Sequence, residues 1–314
     1  MPRTDNDTWD IRQSVGATAL GVAAARAAET TRDDPLIRDP FARHFLDAAG
    51  DGTWNMYIGE EKITDDAEVD RELRKRRGVL IDYMACRTAF FDNFFLTATS
   101  SGVRQAIIVA AGLDARAWRL PWPDGTTVYE IDQSTVLEFK SSTLEMTDAR
   151  PTCSRVDVGV DLRQDWPKAL REAGFDASAP SAWSTEGLLP YLPAGGQDAL
   201  FEHIDALTVA GSQVAVDAMP TDFPNSAYLI RRRAEMQRLR EAADEAGKSK
   251  IPNVEELWYL EERTDVAAWL RSRCWDVSVA SADELLARYH RSVPADVMDA
   301  MPPNRFITAL KETR

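Results

Sequence analysis

The chain has 314 residues, 44% hydrophobic and 28% charged, and its 37 basic against 51 acidic side chains leave a formal net charge of −14 at pH 7. That is the composition of a globular protein with ample core, and no stretch approaches the ~20 consecutive apolar residues of a membrane-spanning helix. The negative charge disfavours nucleic-acid phosphates and acidic membranes as partners, and three widely spaced cysteines, Cys86, Cys153 and Cys274, suggest neither a disulfide framework nor a metal site.

In chain order, SVGATALGVAAARAAETT (14–31) reads as a helix. It follows Asp5, Asp7 and Asp10, where a signal peptide would need positive charge, so a cytoplasmic location is expected. DPFARHFLDAAG (39–50) and GVLIDYMACRTAFFDNFFLTAT (78–99) carry helical periodicity, and residues 1–100 are expected to form an N-terminal helical cap. From residue 105 onward short aliphatic runs alternate with helix-length segments. The strand candidates are QAIIVAA (105–111), TTVYEID (126–132), TCSRVDV (152–158), PSAWSTE (180–186), SQVAVDAM (212–219), WDVSVAS (275–281) and NRFITALK (304–311).

This alternation predicts an α/β fold, a mostly parallel seven-stranded sheet covered by helices. The first, second, fourth and fifth runs are apolar enough for strands buried on both faces. NRFITALK, close to the C-terminus, is expected to finish the sheet as an antiparallel edge strand. Residues 221–270 hold RRRAEMQRLREAADEAGK and VEELWYLEERTDVAAWLRS, more than a sheet crossover needs, and are expected to form a helical lid insertion. Arg231, Arg232 and Arg233 stand among Glu235, Glu241, Asp244 and Glu245 and read as a solvated helix face, not a nucleic-acid contact. No linker divides the chain, so a single domain is expected, with 101–220 as the cofactor-binding core and 271–314 as the final strands.

The first strand candidate breaks at one glycine, Gly112, followed by Asp114 and Arg116 in IIVAAGLDARAWRL (107–120). Asp132 stands twenty residues further on, at the end of the second strand. A carboxylate there and a glycine turn suit a nucleoside, whose vicinal ribose hydroxyls donate to the acid. Glu130 shares the strand face of Asp132 by the two-residue period and is the alternative ribose ligand. A dinucleotide needs further turn glycines for its pyrophosphate, and Asp114 would repel that group. S-adenosylmethionine has no phosphate and carries a cationic sulfonium and amine, so the turn favours it. A nicotinamide-dependent oxidoreductase and a non-catalytic cofactor-binding protein of the same fold remain the alternatives.

Taken together, RTAFFDNFF (87–95), IIVAAGLDARAWRL, VYEIDQSTVLEFK (128–140), WSTEGLLPYLP (183–193) and DDPLIRDPFA (33–42) closely resemble the actinobacterial S-adenosylmethionine-dependent methyltransferases related to leucine carboxyl methyltransferase. The resemblance implies a class I methyltransferase (Rossmann-like) sheet with its last pair antiparallel. It also implies that Arg87 meets the methionine carboxylate, Gly112 lines the methionine and ribose, Asp132 takes the ribose hydroxyls, Asp161 and Leu162 contact the adenine, and Glu186 faces the amino group. Where many relatives have Gly this chain has Ala110 or Ala111, and where they have Thr it has Ala115. Asp161 also stands where it can cap the helix beginning at LRQDWPKAL, and Glu186 where it can bond loop amides. Methyl transfer to oxygen of a small molecule or carboxylate is expected. No catalytic base is assigned among His44, His203 and His290.

Overall fold

The computed structural model describes residues 11–12, 14–57, 67–245 and 253–313. Seven strands form: β1 (Gln105–Val109), β2 (Thr127–Asp132), β3 (Ser154–Gly159), β4 (Ser181–Thr185), β5 (Gln213–Ala218), β6 (Trp275–Ser281) and β7 (Arg305–Lys311). They make one sheet in the order β3-β2-β1-β4-β5-β7-β6, with β7 antiparallel to both of its neighbours. Each matches a run picked out by its apolar residues.

The described α-helices are α1 (Ser14–Thr30), α2 (Ala42–Ala49), α3 (Ala67–Ser100), α4 (Arg116–Arg119), α5 (Ser134–Glu145), α6 (Trp166–Glu172), α7 (Ala194–Ala206), α8 (Ala227–Glu245), α9 (Val266–Ser272) and α10 (Ala282–Arg288). The chain divides into two compact units. A sheet unit comprises Ala89–Thr221, Glu261–Ser281 and Asn304–Arg314, and a helical unit takes the described residues within Met1–Thr88, Asp222–Leu260 and Ala282–Pro303.

In the sheet unit, every residue of β4 is buried, as are four of the five in β1, so these strands are covered on both faces. Trp183 of β4 is fully buried and meets Trp166 and Phe175 edge-on, with ring centroids 6.2 and 5.5 Å apart. Burying such a side chain contributes on the order of 1.5–3 kcal/mol. The expected place of the last strand needs correcting. β7 is antiparallel as predicted, but it lies between β5 and β6, and β6 is the edge. The reason is visible in the side chains: Phe306, Ile307 and Ala309 of β7 are buried, whereas β6 alternates between buried or half-buried and exposed positions, as a one-sided strand does.

In the helical unit, α1 packs against α2 through small residues, with Ala23, Ala24 and Ala27 buried beside Leu20. The carboxylate of Glu29 is fully buried and answered by Arg32 at 2.8 Å, Arg291 at 2.9 Å and the Leu36 amide at 2.7 Å. Arg76 of α3 donates both ends of its fork to Asp299 at 2.8 and 3.0 Å. The arginine-rich face of α8 is matched within the same unit, with Arg232 and Arg233 sharing Glu255 and Arg238 paired to Glu72.

Candidate active site

Parallel register brings three strand ends level. Val109 of β1 stands opposite Ile131 of β2 and Thr185 of β4, so the next residues along, from the Gly112 turn to Asp132 and Glu186, converge on one edge of the sheet. This is the carboxyl edge at the reversal of strand order, where open α/β sheets hold their ligands.

β1 ends at Val109, two residues before its apolar run does, because Ala110 turns into the left-handed region at φ 54°. Gly112 is left-handed as well, at φ 47°. An L-residue in that region costs roughly 1–2 kcal/mol, which glycine avoids. The resulting turn aims the Gly112 amide at Asp132, donating to Oδ2 at 2.7 Å, while the Gln133 amide donates to Oδ1 at 2.7 Å. A carboxylate has about four acceptor positions, so Asp132 keeps capacity for a pair of vicinal hydroxyls. Burial pushes the Asp132 carboxyl above its ordinary range, a rise only partly offset by these two amides and the nearby Lys140.

The turn's other acid, Asp114, is not left facing a ligand alone. Arg116 is buried and pairs with Asp114, with Asp92 of α3 at 2.7 Å and with Glu186 at 2.8 Å, and its guanidinium stacks 5.7 Å from the centre of the Phe91 ring. Arg119 adds two further bonds of 2.5 Å to Asp92. Burial would raise the Asp114 carboxyl, but Arg116, Lys140 and Arg119 outweigh it and hold the group below the usual range. Asp114 Oδ1 also accepts the Arg116 amide at 2.6 Å, which caps the start of α4. That supplies what a threonine hydroxyl at position 115 would offer, since the Ala115 side chain makes no cap bond.

Glu130, the alternative ribose ligand, lies beneath this surface. It is fully buried and bonded to Lys140 at 2.8 Å and Arg155 at 2.7 Å. Lys140, itself fully buried, also donates to the Asp114 carbonyl at 3.1 Å and so ties α5 to the first turn. Asp161 and Leu162 follow β3, half-buried. Asp161 accepts from Gln133 Nε2 at 3.3 Å and from Arg163 at 2.7 and 2.9 Å. Its capping reading is corrected: Asp165 caps α6, accepting the Lys168 amide at 3.1 Å. Glu186 pairs with Arg116, and the next amide along, that of Gly187, donates to the Asp217 carboxylate at 2.6 Å.

Arg87 is buried on α3 and belongs to the helical unit, whereas Gly112, Glu130, Asp132, Asp161, Leu162 and Glu186 all belong to the sheet unit. His44 and His203 are exposed, the latter edge-on to Trp166 at 5.5 Å. A cleft opens at the same edge beyond β5, lined among others by Gln197, Met219, Arg263, Asp265 and Arg305. There Arg263 donates to the carbonyls of Leu189 and Leu192 at 2.8 and 2.6 Å, and Arg305 pairs with Asp265 at 2.8 Å. Asp92, Arg116, Lys140 and Asp217 went unassigned in the sequence reading. Lys140 and Asp217 carried a signal, a charged residue at a position that periodicity assigns to the interior, whereas Arg116 lies in a polar turn and its meeting with Asp92 comes only through packing.

Comparison with known proteins places these features in context. The family described as leucine carboxyl methyltransferase matches residues 19–205. A protein of Mycolicibacterium paratuberculosis named "Putative S-adenosyl-L-methionine-dependent methyltransferase" is 59% identical over 315 residues, covering 100% of this chain and 98% of its own. A protein of Mycobacterium tuberculosis with the same name is 57% identical over 313 residues, with 100% of both chains covered. Among solved structures, a DUF574 family protein from Streptomyces avermitilis aligns at TM-score 0.49 and 12% identity, over 82% of this chain and 95% of that one.

Proposed function

The chain belongs to the leucine carboxyl methyltransferase family and is an S-adenosylmethionine-dependent methyltransferase, and from that premise we propose that it methylates an oxygen of a small molecule or a carboxylate. Family membership sets aside the nicotinamide-dependent alternative, and nothing favours a non-catalytic protein. The observation that carries the cofactor assignment is the Gly112 amide bonded to the half-buried Asp132 carboxylate, flanked by an acidic cluster. Among Asp92, Asp114, Glu186, Arg116 and Arg119 three carboxylates meet two guanidiniums, leaving one negative charge suited to a cation and hostile to pyrophosphate.

Asp132, in place of the buried and ion-paired Glu130, takes the ribose hydroxyls. Gly112 lines the methionine and ribose, Gln133 with Asp161 and Leu162 borders the adenine, Glu186 faces the amine and Arg87 the methionine carboxylate. S-adenosylmethionine supplies a sulfonium-activated methyl group for in-line displacement. The chain's part is then alignment and exclusion of water. The cleft beyond β5 is the candidate acceptor pocket, its Arg263 and Arg305 guanidiniums held in place by the Leu189 and Leu192 carbonyls and by Asp265. A carboxylate acceptor is already nucleophilic and requires no general base.

Calorimetry with S-adenosylmethionine and its demethylated product tests the first assignment. Asp132→Ala is expected to weaken both by at least ~30-fold through loss of hydrogen bonds to a charged group, and unchanged binding would refute it. Labelled methyl donor offered to carboxylic acids, phenols and amines tests the second: label in amines alone would overturn oxygen as the acceptor atom.

A further inference from the structure

Arg116 is the residue of the first turn to which neither the family pattern nor the ribose geometry gives a role. It is 2% exposed, yet its guanidinium meets carboxylates from three separate stretches of chain: Asp92 on α3, Asp114 in the turn after β1, and Glu186 in the loop after β4. Packed around it are Arg119, bonded to Asp92, Lys140, bonded to the Asp114 carbonyl, and the ring of Phe91. Its own main-chain carbonyl accepts the Trp122 indole N–H at 2.8 Å, which pins the backbone that carries it.

Three carboxylates within reach of one guanidinium would repel one another and take up protons if it were absent. With it that repulsion is offset, and the fork fixes the separation of the two loops that border the β1/β4 edge. We propose that Arg116 is the positioning residue of the cofactor site: it bridges Asp114 and Glu186 and holds them in register, so that the two loops present a single net negative charge to a cationic ligand. This rests on the cofactor reading above. Its consequence is discrimination between the cationic donor and the uncharged sulfur of the demethylated product, which favours product release after each transfer. The low carboxyl of Asp114 and the strongly held proton of Arg116 agree with this arrangement.

The test uses the full chain carrying Arg116→Met and Arg116→Lys, with calorimetric affinities for S-adenosylmethionine and for its demethylated product between pH 5.5 and 7, and the thermal midpoint of each protein. Lysine keeps the charge but lacks the planar fork. Arg116→Lys is expected to bind the donor about tenfold more weakly with a pH profile parallel to that of the unsubstituted protein. Arg116→Met is expected to lose more donor than product affinity. Its donor affinity should fall about tenfold further as pH drops across that window, because Asp114 loses the partner that holds its carboxyl low. Weaker binding in Arg116→Met with an unaltered pH profile and an unaltered donor-to-product ratio would make Arg116 structural only and overturn the proposal. If Arg116→Met does not fold, Arg116→Lys decides alone: undiminished donor affinity in a folded protein overturns it. An unsubstituted protein that binds neither ligand would instead overturn the cofactor reading, so the two failures are separable.

Discussion

Asp132 carries opposing demands in one carboxyl group. Burial raises it, and the amides of Gly112 and Gln133 return part of that cost. Because the native state holds this proton more tightly than the unfolded chain, the group's contribution to stability is present below the unfolded value and lost as pH rises through the native one. Asp114 has the reverse sign: held low by Arg116, it stabilises above the unfolded value and that contribution is lost as pH falls through the native one. Cofactor affinity is therefore expected to weaken on acidification at a pH above the ordinary aspartate value of about 3.9, and Asp132→Asn should abolish that step. Calorimetry across pH 4.5–7 checks it, and a step that persists in Asp132→Asn assigns the titration elsewhere. Gly112 and Asp132 were legible in the sequence because strand length and a single glycine fix where the turn and the strand end fall. The partners of Arg116 were not, since Asp92 and Glu186 stand 24 and 70 residues away and meet it only through packing.

At the scale of elements, α5 shows how a helix locks a turn. Its buried positions Val136, Leu137, Lys140, Thr143 and Leu144 trace one stripe at helical spacing, and Lys140 occupies that stripe as though apolar. Its ammonium bridges Glu130 of β2 and the Asp114 carbonyl after β1. Removing one partner of a buried ion pair leaves an uncompensated charge, so Lys140→Met is expected to cost about 3 kcal/mol in urea denaturation. Adding Glu130→Leu should recover part of that loss, and a strictly additive double variant would show that the pair is not coupled. The strands themselves were legible from apolar runs, and the edge character of β6 from its alternation. The insertion of β7 between β5 and β6 was not, because an apolar run gives a strand but no neighbour.

For the whole molecule, the net charge of −14 at pH 7 implies self-repulsion that salt relieves. Raising NaCl from about 10 to 150 mM shortens the screening length from roughly 30 to 8 Å. The thermal midpoint is expected to rise by a few degrees, measured by scanning fluorimetry. A fall would mean that the ion pairs of α3, α8 and the acidic cluster outweigh the net repulsion. The Ala-rich opening helix and the 221–270 stretch read as additions to a sheet domain. Residues of both, within Met1–Thr88 and Asp222–Leu260, join the α10 segment in a helical unit, because stretches far apart in sequence share one set of buried contacts.

The sequence by itself determined the α/β class, the seven strands, the turn at Gly112 and the carboxylate at the end of β2, all consequences of local periodicity and of short fixed intervals along the chain. Which acid faces outward and which is buried, Asp132 against Glu130, was decided only by tertiary structure, because strand period places both on one face and depth in the packed sheet separates them. The same holds for Arg116: a surface-like residue in a polar turn becomes the buried centre of three carboxylates once parallel register brings the ends of β1 and β4 level.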